Sequence, residues 1–329
     1  VTVLGPQILR DLGLQTMARA MEYVPGVTMG QGEGHRDAPT IRGQSTTADF
    51  FVDGVRDDAQ YLRDSYNVSQ IEALKGANAL AFGRGGGGGV INRVMKQAEW
   101  TPTRSGRLQS GSYDERRVAI DVGQGLTSQL AARVNALHER SGSYRDFVSH
   151  EKSGVSPTVA LHAGNTMLRA GVEHFVDTRT VDRGIPSANG RPSALGWRTF
   201  VGDPEQNRST MTVDGAHLLA EYDNSRGLTL RTHTRAVRYD KFYANVFASS
   251  AVNAAGTQVT LGAYSTAADR RSLFNQSDLV YTARYGALRH TLLTGTEFSR
   301  QTTDNVRLTG YFVNVSTSRT VPLTGAAGA

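Results

Sequence analysis

From about residue 100 onward, the sequence is a series of segments that alternate between apolar and polar side chains. In one of them, Leu168, Ala170 and Val172 fall on one face. Arg169 and Glu173 fall on the other. Successive side chains of a β-strand point to opposite faces, so this pattern predicts a run of strands with one apolar face. The segments that show it are 105–113, 116–124, 129–139, 155–163, 168–176, 211–222, 228–236, 275–285 and 292–298.

Connections of two different lengths separate these segments. Short turns such as 123–125 and 224–227 follow some of them, and the long polar stretches Thr178–Ser209 and Lys241–Arg271 follow others. A tilted strand of about 9–11 residues crosses a bilayer, and outer-membrane barrels have short turns at one end and long loops at the other. A soluble β-sandwich alternates in the same way, so the pattern alone leaves both folds open.

Composition excludes several other classes of protein. A transmembrane helix is excluded because no run of about 18 apolar residues is present. The chain has no cysteine, which excludes disulfides and thiolate metal sites. The eight histidines are scattered, so we expect no protein-ligated metal. The net charge of +6 comes from interspersed basic and acidic residues and does not indicate nucleic-acid binding.

The first hundred residues have a different pattern. Pro6 opens a short predicted helix, and Thr16 is a predicted N-cap for a second helix that Pro25-Gly26 ends. Asp53-Gly54 between apolar residues predicts a hairpin turn. Further strands are predicted around 71–74 and 90–95, so this part is a small α+β module.

A glycine-rich stretch in this module formally matches a dinucleotide-binding fingerprint at Gly83, Gly85 and Gly88. A strand-like pattern follows it where that fingerprint requires a helix, and no Gly-Lys-Ser/Thr is present. We therefore interpret the glycines as structural. No nucleophile–base spacing indicates an enzyme. We expect the charges of Asp53, Glu72, Arg42 and Arg84 to pair with each other or with inward arginines such as Arg231 and Arg235.

Several motifs of the module, in order and spacing, resemble the plug domain of TonB-dependent receptors. They are Val1-Thr2-Val3 with 17–27, Ile41-Arg42-Gly43, 51–55, 71–76, and Phe82-Gly83-Arg84 with the following glycine run, Asn92 and Lys96. The resemblance assigns structural roles to Arg42, Gly43, Asp53, Gly54, Glu72, Lys75, Gly76, Gly83, Arg84 and Asn92. It continues in 182–186 and 200–204, which are similar to loop segments of the siderophore-receptor branch. Ala77-Asn78 departs from the Pro-Ser or Pro-Ala that the family prefers.

This resemblance implies a membrane β-barrel, antiparallel and of about 22 strands in the intact protein, with an N-terminal α+β plug in its lumen. Only part of such a barrel is expected here, because a plug of about 30 Å does not fit inside roughly nine strands. The expected domains are a plug, 1–98, and the N-terminal part of the barrel, 104–329. The signal sequence and TonB box are expected before Val1, and the closing strands after Ala329.

The implied function is active import of ferric siderophores across the outer membrane of a Gram-negative bacterium, with no enzymatic reaction. The implied partners are the ferric siderophore, TonB of the TonB–ExbB–ExbD complex, and outer-membrane lipid and lipopolysaccharide. No cofactor is expected, since iron enters only within the siderophore. The resemblance places ligand contacts at His35, Arg36, Tyr61 and Arg63. The alternatives are import of cobalamin, haem or an oligosaccharide, or a soluble β-sandwich binding module.

Overall fold

The structure, a computed structural model, describes residues 1–82 and 87–323. The predicted structural roles of Gly83 and Arg84 therefore lie outside the described residues. Within the described ranges, none of the helices has the length and apolar character needed to cross a membrane.

Residues 1–98, the N-terminal module, contain two short helices, α1 (Pro6–Asp11) and α2 (Met17–Met21), and two 3₁₀ turns, Gly32–Gly34 and Gly76–Phe82. The predicted cap is present, because Thr16 Oγ1 accepts a hydrogen bond from the Arg19 N–H at 3.3 Å. The strands are β1 (Thr2–Leu4), β2 (Val27–Gly30), β3 (Ala38–Ile41), β4 (Gln44–Ser45), β5 (Phe50–Val52), β6 (Val55–Arg56), β7 (Val68–Lys75) and β8 (Gly89–Met95).

Five of these strands form one sheet in the order β1-β7-β8-β5-β6, and β2, β3 and β4 form a second, smaller sheet. The helices pack on the first sheet through a continuous apolar core that includes Met17, Met21, Phe50, Ile71 and Ile91. Burial of these side chains is the main stabilising contribution to the module.

The turn between β5 and β6 joins three of the sequence motifs. Asp53 and Gly54 both have positive φ, 49° and 83°, as a two-residue hairpin turn of the predicted kind requires. The Asn92 side chain accepts a hydrogen bond from the Gly54 N–H at 3.0 Å and donates one to Glu72 at 2.9 Å. Asp53 accepts the Met95 N–H at 2.9 Å. Glu72 is therefore held by an amide rather than by the arginine partner expected for it.

A second two-residue turn carries Arg42 and Gly43, at φ 50° and 81°, between β3 and β4. The Arg42 guanidinium lies against Gly76, which is also left-handed at φ 64°. Lys75 donates to the Pro25 carbonyl at 2.7 Å. These motif residues hold the two sheets of the module together.

The rest of the chain forms one large sheet in which sequential long strands pair antiparallel. Its nine long strands are β9 (Thr103–Ser110), β10 (Arg116–Gly125), β11 (Leu130–Gly142), β12 (Ser149–Ala163), β13 (Thr166–Thr180), β16 (Arg208–Asp223), β17 (Leu228–Ala248), β18 (Gln258–Tyr285) and β19 (Leu288–Thr309). A hairpin of β14 (Ser187–Ala188) and β15 (Arg191–Pro192) lies between β13 and β16, and β20 (Ser318–Pro322) pairs with β18.

Connections at the two ends of the sheet differ in length, as the sequence predicts. Residues 164–165 and 286–287 are turns at one end, the short-turn end, whereas 181–207 connects β13 to β16 at the other, the long-loop end. The prediction that Lys241–Arg271 is a loop is wrong. β17 continues to Ala248 and β18 begins at Gln258, so only 249–257 is a connection. Phe242, Ala244 and Val246 alternate here with Lys241, Tyr243 and Asn245, so the alternating pattern of a strand is present and the loop prediction overlooked it.

One face of the large sheet contacts the N-terminal module along its whole width. Each of the nine long strands supplies a polar contact to that module. The pairs are Gln109–Gln15, Arg117–Asp64, Arg133–Gln97, Lys152–Asp64, Glu173–Asn67, His217–Gln97, Tyr239–Asp57, Tyr264–Glu33 and Gln301–Asp58. The sheet therefore wraps around the module.

The opposite face of the sheet carries apolar side chains exposed to the surroundings. Val118, Ile120 and Val122 are exposed on β10, and Leu218 and Leu230 are exposed on β16 and β17. Because these positions alternate with the inward ones, the outer face is the one predicted to meet lipid.

Candidate functional site

A cavity of about 630 Å³ lies where the N-terminal module meets β17, β18 and β19 near the long-loop end. Two loops of the module form its floor, the 3₁₀ turn around Glu33 and the segment 58–60. The lining residues are Glu33, His35, Arg36, Asp58, Ala59, Gln60, Arg183, Met211, Tyr239, Lys241, Tyr243, Phe247, Tyr264, Thr266, Ala268, Arg270, Thr303, Asn305 and Arg307.

Positive charge predominates in this lining. The cations are Arg36, Arg183, Lys241, Arg270 and Arg307, whereas the carboxylates that line the described cavity are Glu33 and Asp58. Arginine N–H groups in a fixed planar fork suit carboxylate, phenolate and phosphate oxygens. The lining of the cavity can therefore bind an anionic ligand.

Two of these arginines stack on aromatic rings. The Arg183 guanidinium lies 4.1 Å from the ring centre of Phe247, and that of Arg307 lies 3.9 Å from the ring centre of Tyr264. Tyr243 connects the group, with ring centroids 3.9 Å from His35 and 5.4 Å from Tyr264. Such stacking fixes the orientation of the guanidinium planes and leaves apolar ring surface beside them.

Glu33 places its carboxylate among these cations. It accepts a hydrogen bond from Tyr264 Oη at 2.8 Å and lies 3.3 Å from an Arg36 nitrogen and 3.4 Å from an Arg183 nitrogen. The His35 side chain lowers the pKa of Glu33 to about 2, with Tyr264 and the two arginines, against the effect of burial. Glu33 is therefore ionised at neutral pH.

His35 is buried, and its Nδ1 lies 2.7 Å from Lys241 Nζ, so the ring nitrogen accepts a hydrogen bond from the ammonium. Burial, together with the charges of Lys241 and Arg36, lowers the pKa of His35 to about 4. Lys241 also donates to the Gln60 carbonyl. Lys241 of β17 thus contacts both loops that form the floor of the cavity, the turn around Glu33 and the segment 58–60, which are called the apical loops below.

Of the four residues predicted to contact ligand, His35 and Arg36 line the cavity. Tyr61 and Arg63 lie beneath it, with only 5% and 1% of their surface exposed. Arg63 uses its guanidinium nitrogens on Asp57, Asp37 and the carbonyls of residues 57, 59 and 61. Tyr61 and Arg63 therefore lie below the cavity, where Arg63 holds the apical loop 58–60 through the carbonyls of residues 57 and 59.

Sequence reasoning missed the cavity residues of β17–β19 and of loop 181–207. Tyr239, Lys241 and Tyr243 alternate along β17 and all point inward. That alternation of aromatic and basic residues is a usable signal, and the apolar residues Phe242, Ala244 and Val246 between and beyond them also favour a strand over the predicted loop. Within the described residues, no group of three or more His, Asp or Glu side chains is arranged to hold a metal ion.

The N-terminal module matches a known protein family. Residues 1–90 match the family model of the TonB-dependent receptor plug domain. These residues form a TonB-dependent receptor plug. The resemblance found in the sequence motifs is thereby confirmed, and the module is called the plug below.

The chain as a whole is similar to receptors of the same kind. It is 30% identical to the catecholate siderophore receptor Fiu of Escherichia coli strain UTI89 over 334 aligned positions, 93% of this chain and 44% of that protein. The chain thus spans less than half the length of the curated relatives it matches.

Solved structures agree with this similarity. The ferric-catecholate import receptor Fiu from E. coli K12, in an open form, superposes with a TM-score of 0.82 at 28% identity, over 92% of this chain and 49% of that one. The siderophore receptor PiuA from Acinetobacter baumannii superposes with a TM-score of 0.85 at 23% identity, over 96% and 48%, and shows the fold alone. The large sheet accordingly has the fold of part of the barrel in these receptor structures, and the plug lies against its inner face.

The contribution of His35 to the stability of the folded protein is expected to decrease as the pH falls. The pKa of His35 is about 4 in the folded protein, whereas an exposed histidine titrates near 6.5. Between these values the unfolded chain binds more protons, so the contribution is complete above about pH 6.5 and is lost as pH falls toward 4. Unfolding free energies of wild type and His35→Gln at pH 7.5 and 4.5 test this. The wild type should lose more stability than the variant, and equal losses would contradict the assignment.

Proposed function

We propose that this protein is an outer-membrane receptor of a Gram-negative bacterium that imports ferric siderophore complexes, energised by TonB of the TonB–ExbB–ExbD complex. The observation that carries the proposal is the cavity between plug and barrel wall, in which guanidinium groups are stacked on aromatic rings. The similar proteins are named as siderophore receptors, which supports the same cargo class.

The cavity favours a siderophore that is both anionic and aromatic. A ferric catecholate carries a net negative charge and presents planar rings to its surroundings. Arg36, Arg183 and Arg307 would donate to its oxygens, and Phe247 and Tyr264 would contact its rings. Tyr61 and Arg63 would act only by holding the apical loop in place. Iron would enter as part of the cargo, so no resident cofactor is needed.

The outer face of the sheet supports the proposed location. Its exposed apolar side chains, including Leu218 and Leu230, would face lipid. The outward arginines Arg238 and Arg271, in the middle of β17 and β18, lie farther from the short-turn end than Leu230 and would lie at the level of the lipopolysaccharide headgroups. We propose lipopolysaccharide as the surrounding lipid of that leaflet.

Removing either stacked guanidinium is expected to weaken binding. Arg307→Gln and Arg183→Gln should each cost about 1–3 kcal/mol, or roughly five- to a hundred-fold in affinity for a ferric catecholate, because a charge-assisted contact is lost. Quenching of intrinsic fluorescence of the purified receptor gives the affinity. Arg238→Gln is the matched control, since this arginine lies on the outer face with half of its side chain exposed.

Transport is tested separately in cells. Receptor expressed in a strain without its own ferric siderophore receptors should support uptake of radioactive iron from the catecholate, and deletion of TonB should abolish it. Tight binding of an uncharged ferric hydroxamate, with no binding of the catecholate, would overturn the proposed cargo class.

A further inference from the structure

The 3₁₀ turn at the plug apex holds an acidic residue in an unfavourable backbone conformation. Glu33 has φ 56° and ψ 22°, and its neighbours Gly32 and Gly34 also have positive φ, 60° and 76°. A left-handed conformation at a residue other than glycine costs about 1–3 kcal/mol and persists only where surrounding contacts hold it. The conformation directs the Glu33 carboxylate into the cavity.

External loop 181–207 holds the same turn from outside. A Cβ added at Gly34 would lie 2.5 Å from the Asp182 carbonyl oxygen, so only glycine allows this approach. Gln31 donates to that same oxygen at 2.9 Å. Arg183, the next residue of the loop, reaches the Glu33 carboxylate at 3.4 Å. Position 33 therefore connects the plug, the external loop and, through Tyr264, strand β18.

The partners of Glu33 are also the donors that an anionic ligand needs. Arg36 and Arg183 both contact this carboxylate, and Tyr264 donates its hydroxyl to it. Asp58, the other lining carboxylate, lies apart from this group and pairs with Arg270 at 2.6 Å. An incoming anion can use Arg36 and Arg183 fully only after the Glu33 carboxylate has left them.

We propose that the Glu33 carboxylate is an internal occupant of the anion site, which an anionic ligand displaces from Arg36 and Arg183. Displacement breaks the carboxylate's contacts with Arg183 of the external loop and Tyr264 of β18, leaving Gln31 and Gly34 to keep the turn against Asp182. Glu33 thus lowers the affinity for an anionic ligand, because the ligand has to compete with a tethered carboxylate for Arg36 and Arg183. The inference rests on the proposed function, which supplies the anionic ligand.

The test compares Glu33→Gln with Asp58→Asn, which removes the same charge from the same cavity. A ferric tris-catecholate is the probe, and affinity is measured on the purified receptor. Internal competition predicts at least tenfold tighter binding by Glu33→Gln and less than threefold by Asp58→Asn. Glu33→Gly, which removes both the carboxylate and the backbone strain, should bind at least as tightly as Glu33→Gln.

Hydrogen exchange gives a second readout. In the wild type, ligand should speed exchange of the amides of Gly34 and His35, which bond to carbonyls within the turn. In Glu33→Gln, these amides should exchange fast before ligand is added. Equal gains in affinity for the two charge variants, or no gain for Glu33→Gln, would overturn this inference alone. Absence of catecholate binding by the wild type would overturn the proposed function and the inference with it.

Discussion

Arg63→Ala is expected to destabilise the plug by about 3–5 kcal/mol, because it removes the cation that pairs with buried Asp37 and one of the two that pair with buried Asp57. The Arg63 guanidinium contacts Asp57 at 3.0 Å and Asp37 at 3.4 Å, and the side chains of all three residues are almost completely buried. It also lies 3.8 Å from the ring centre of Phe50.

The charges around Arg63 show how strongly the network is coupled. Burial alone would raise the pKa of Asp57, but Arg63 and Arg93 hold it well below its usual range. Burial raises the pKa of Asp37, which has fewer charged partners. Without Arg63, protonation of Asp37 would relieve part of the penalty, whereas Asp57 would keep Arg93 and the Tyr61 and Tyr239 hydroxyls.

Denaturant unfolding of the receptor in detergent, followed by a probe in the plug, measures this effect. Arg63→Lys should recover only a small part of the loss, since an ammonium group cannot reproduce the guanidinium fork that contacts the carbonyls of residues 57 and 59. Arg19→Ala is the control, because the Arg19–Glu22 pair is exposed and should contribute less than about 1 kcal/mol. Similar losses for Arg63→Ala and Arg19→Ala would contradict the proposed supporting role.

Local features of this fold were predictable because each depends on a few adjacent residues. Positive φ at Asp53-Gly54, the Thr16 cap and the alternation along 168–176 need no knowledge of the rest of the chain. The plug could also be recognised, since its motifs occur in order. The strand extension beyond Lys241 was missed because the inward aromatic residues Tyr243 and Phe247 obscure the alternation of polar and apolar side chains.

The cavity was largely beyond sequence reasoning because distant residues form it. The bond from Tyr264 to Glu33 joins positions 231 residues apart. The burial of Arg63 was missed for a related reason. Its segment contains aspartates and arginine, as a solvated loop does, and only the pairing of Asp57 with Arg93 and Tyr239 from other elements makes burial possible.

A charge at Leu218 is expected to destabilise the barrel wall by about 2–4 kcal/mol, because the proposed outer-membrane location puts this position against lipid near the middle of the bilayer. Leu218 is 46% exposed on the outer face of β16, opposite Thr234 of β17. Two positions below, toward the short-turn end, the outward pair is Ala220 and Thr232, and the next is Tyr222 and Leu230. The cost should therefore be smaller for Leu230→Arg, which lies closer to the interface.

Leu218→Arg, Leu230→Arg and the inward control Thr229→Arg are compared by folding of the receptor into lipid bilayers under denaturant. Thr229 precedes Leu230 on the same strand, so its side chain points to the polar lumen, where Arg231 and His233 already lie. An added arginine there meets water and carboxylates such as Glu221, and little stability should be lost. The predicted order of destabilisation is Leu218→Arg, then Leu230→Arg, then Thr229→Arg. Equal tolerance at Leu218 and Thr229 would mean that the two faces of the sheet do not differ in solvent, which is incompatible with a wall between lipid and a plugged lumen.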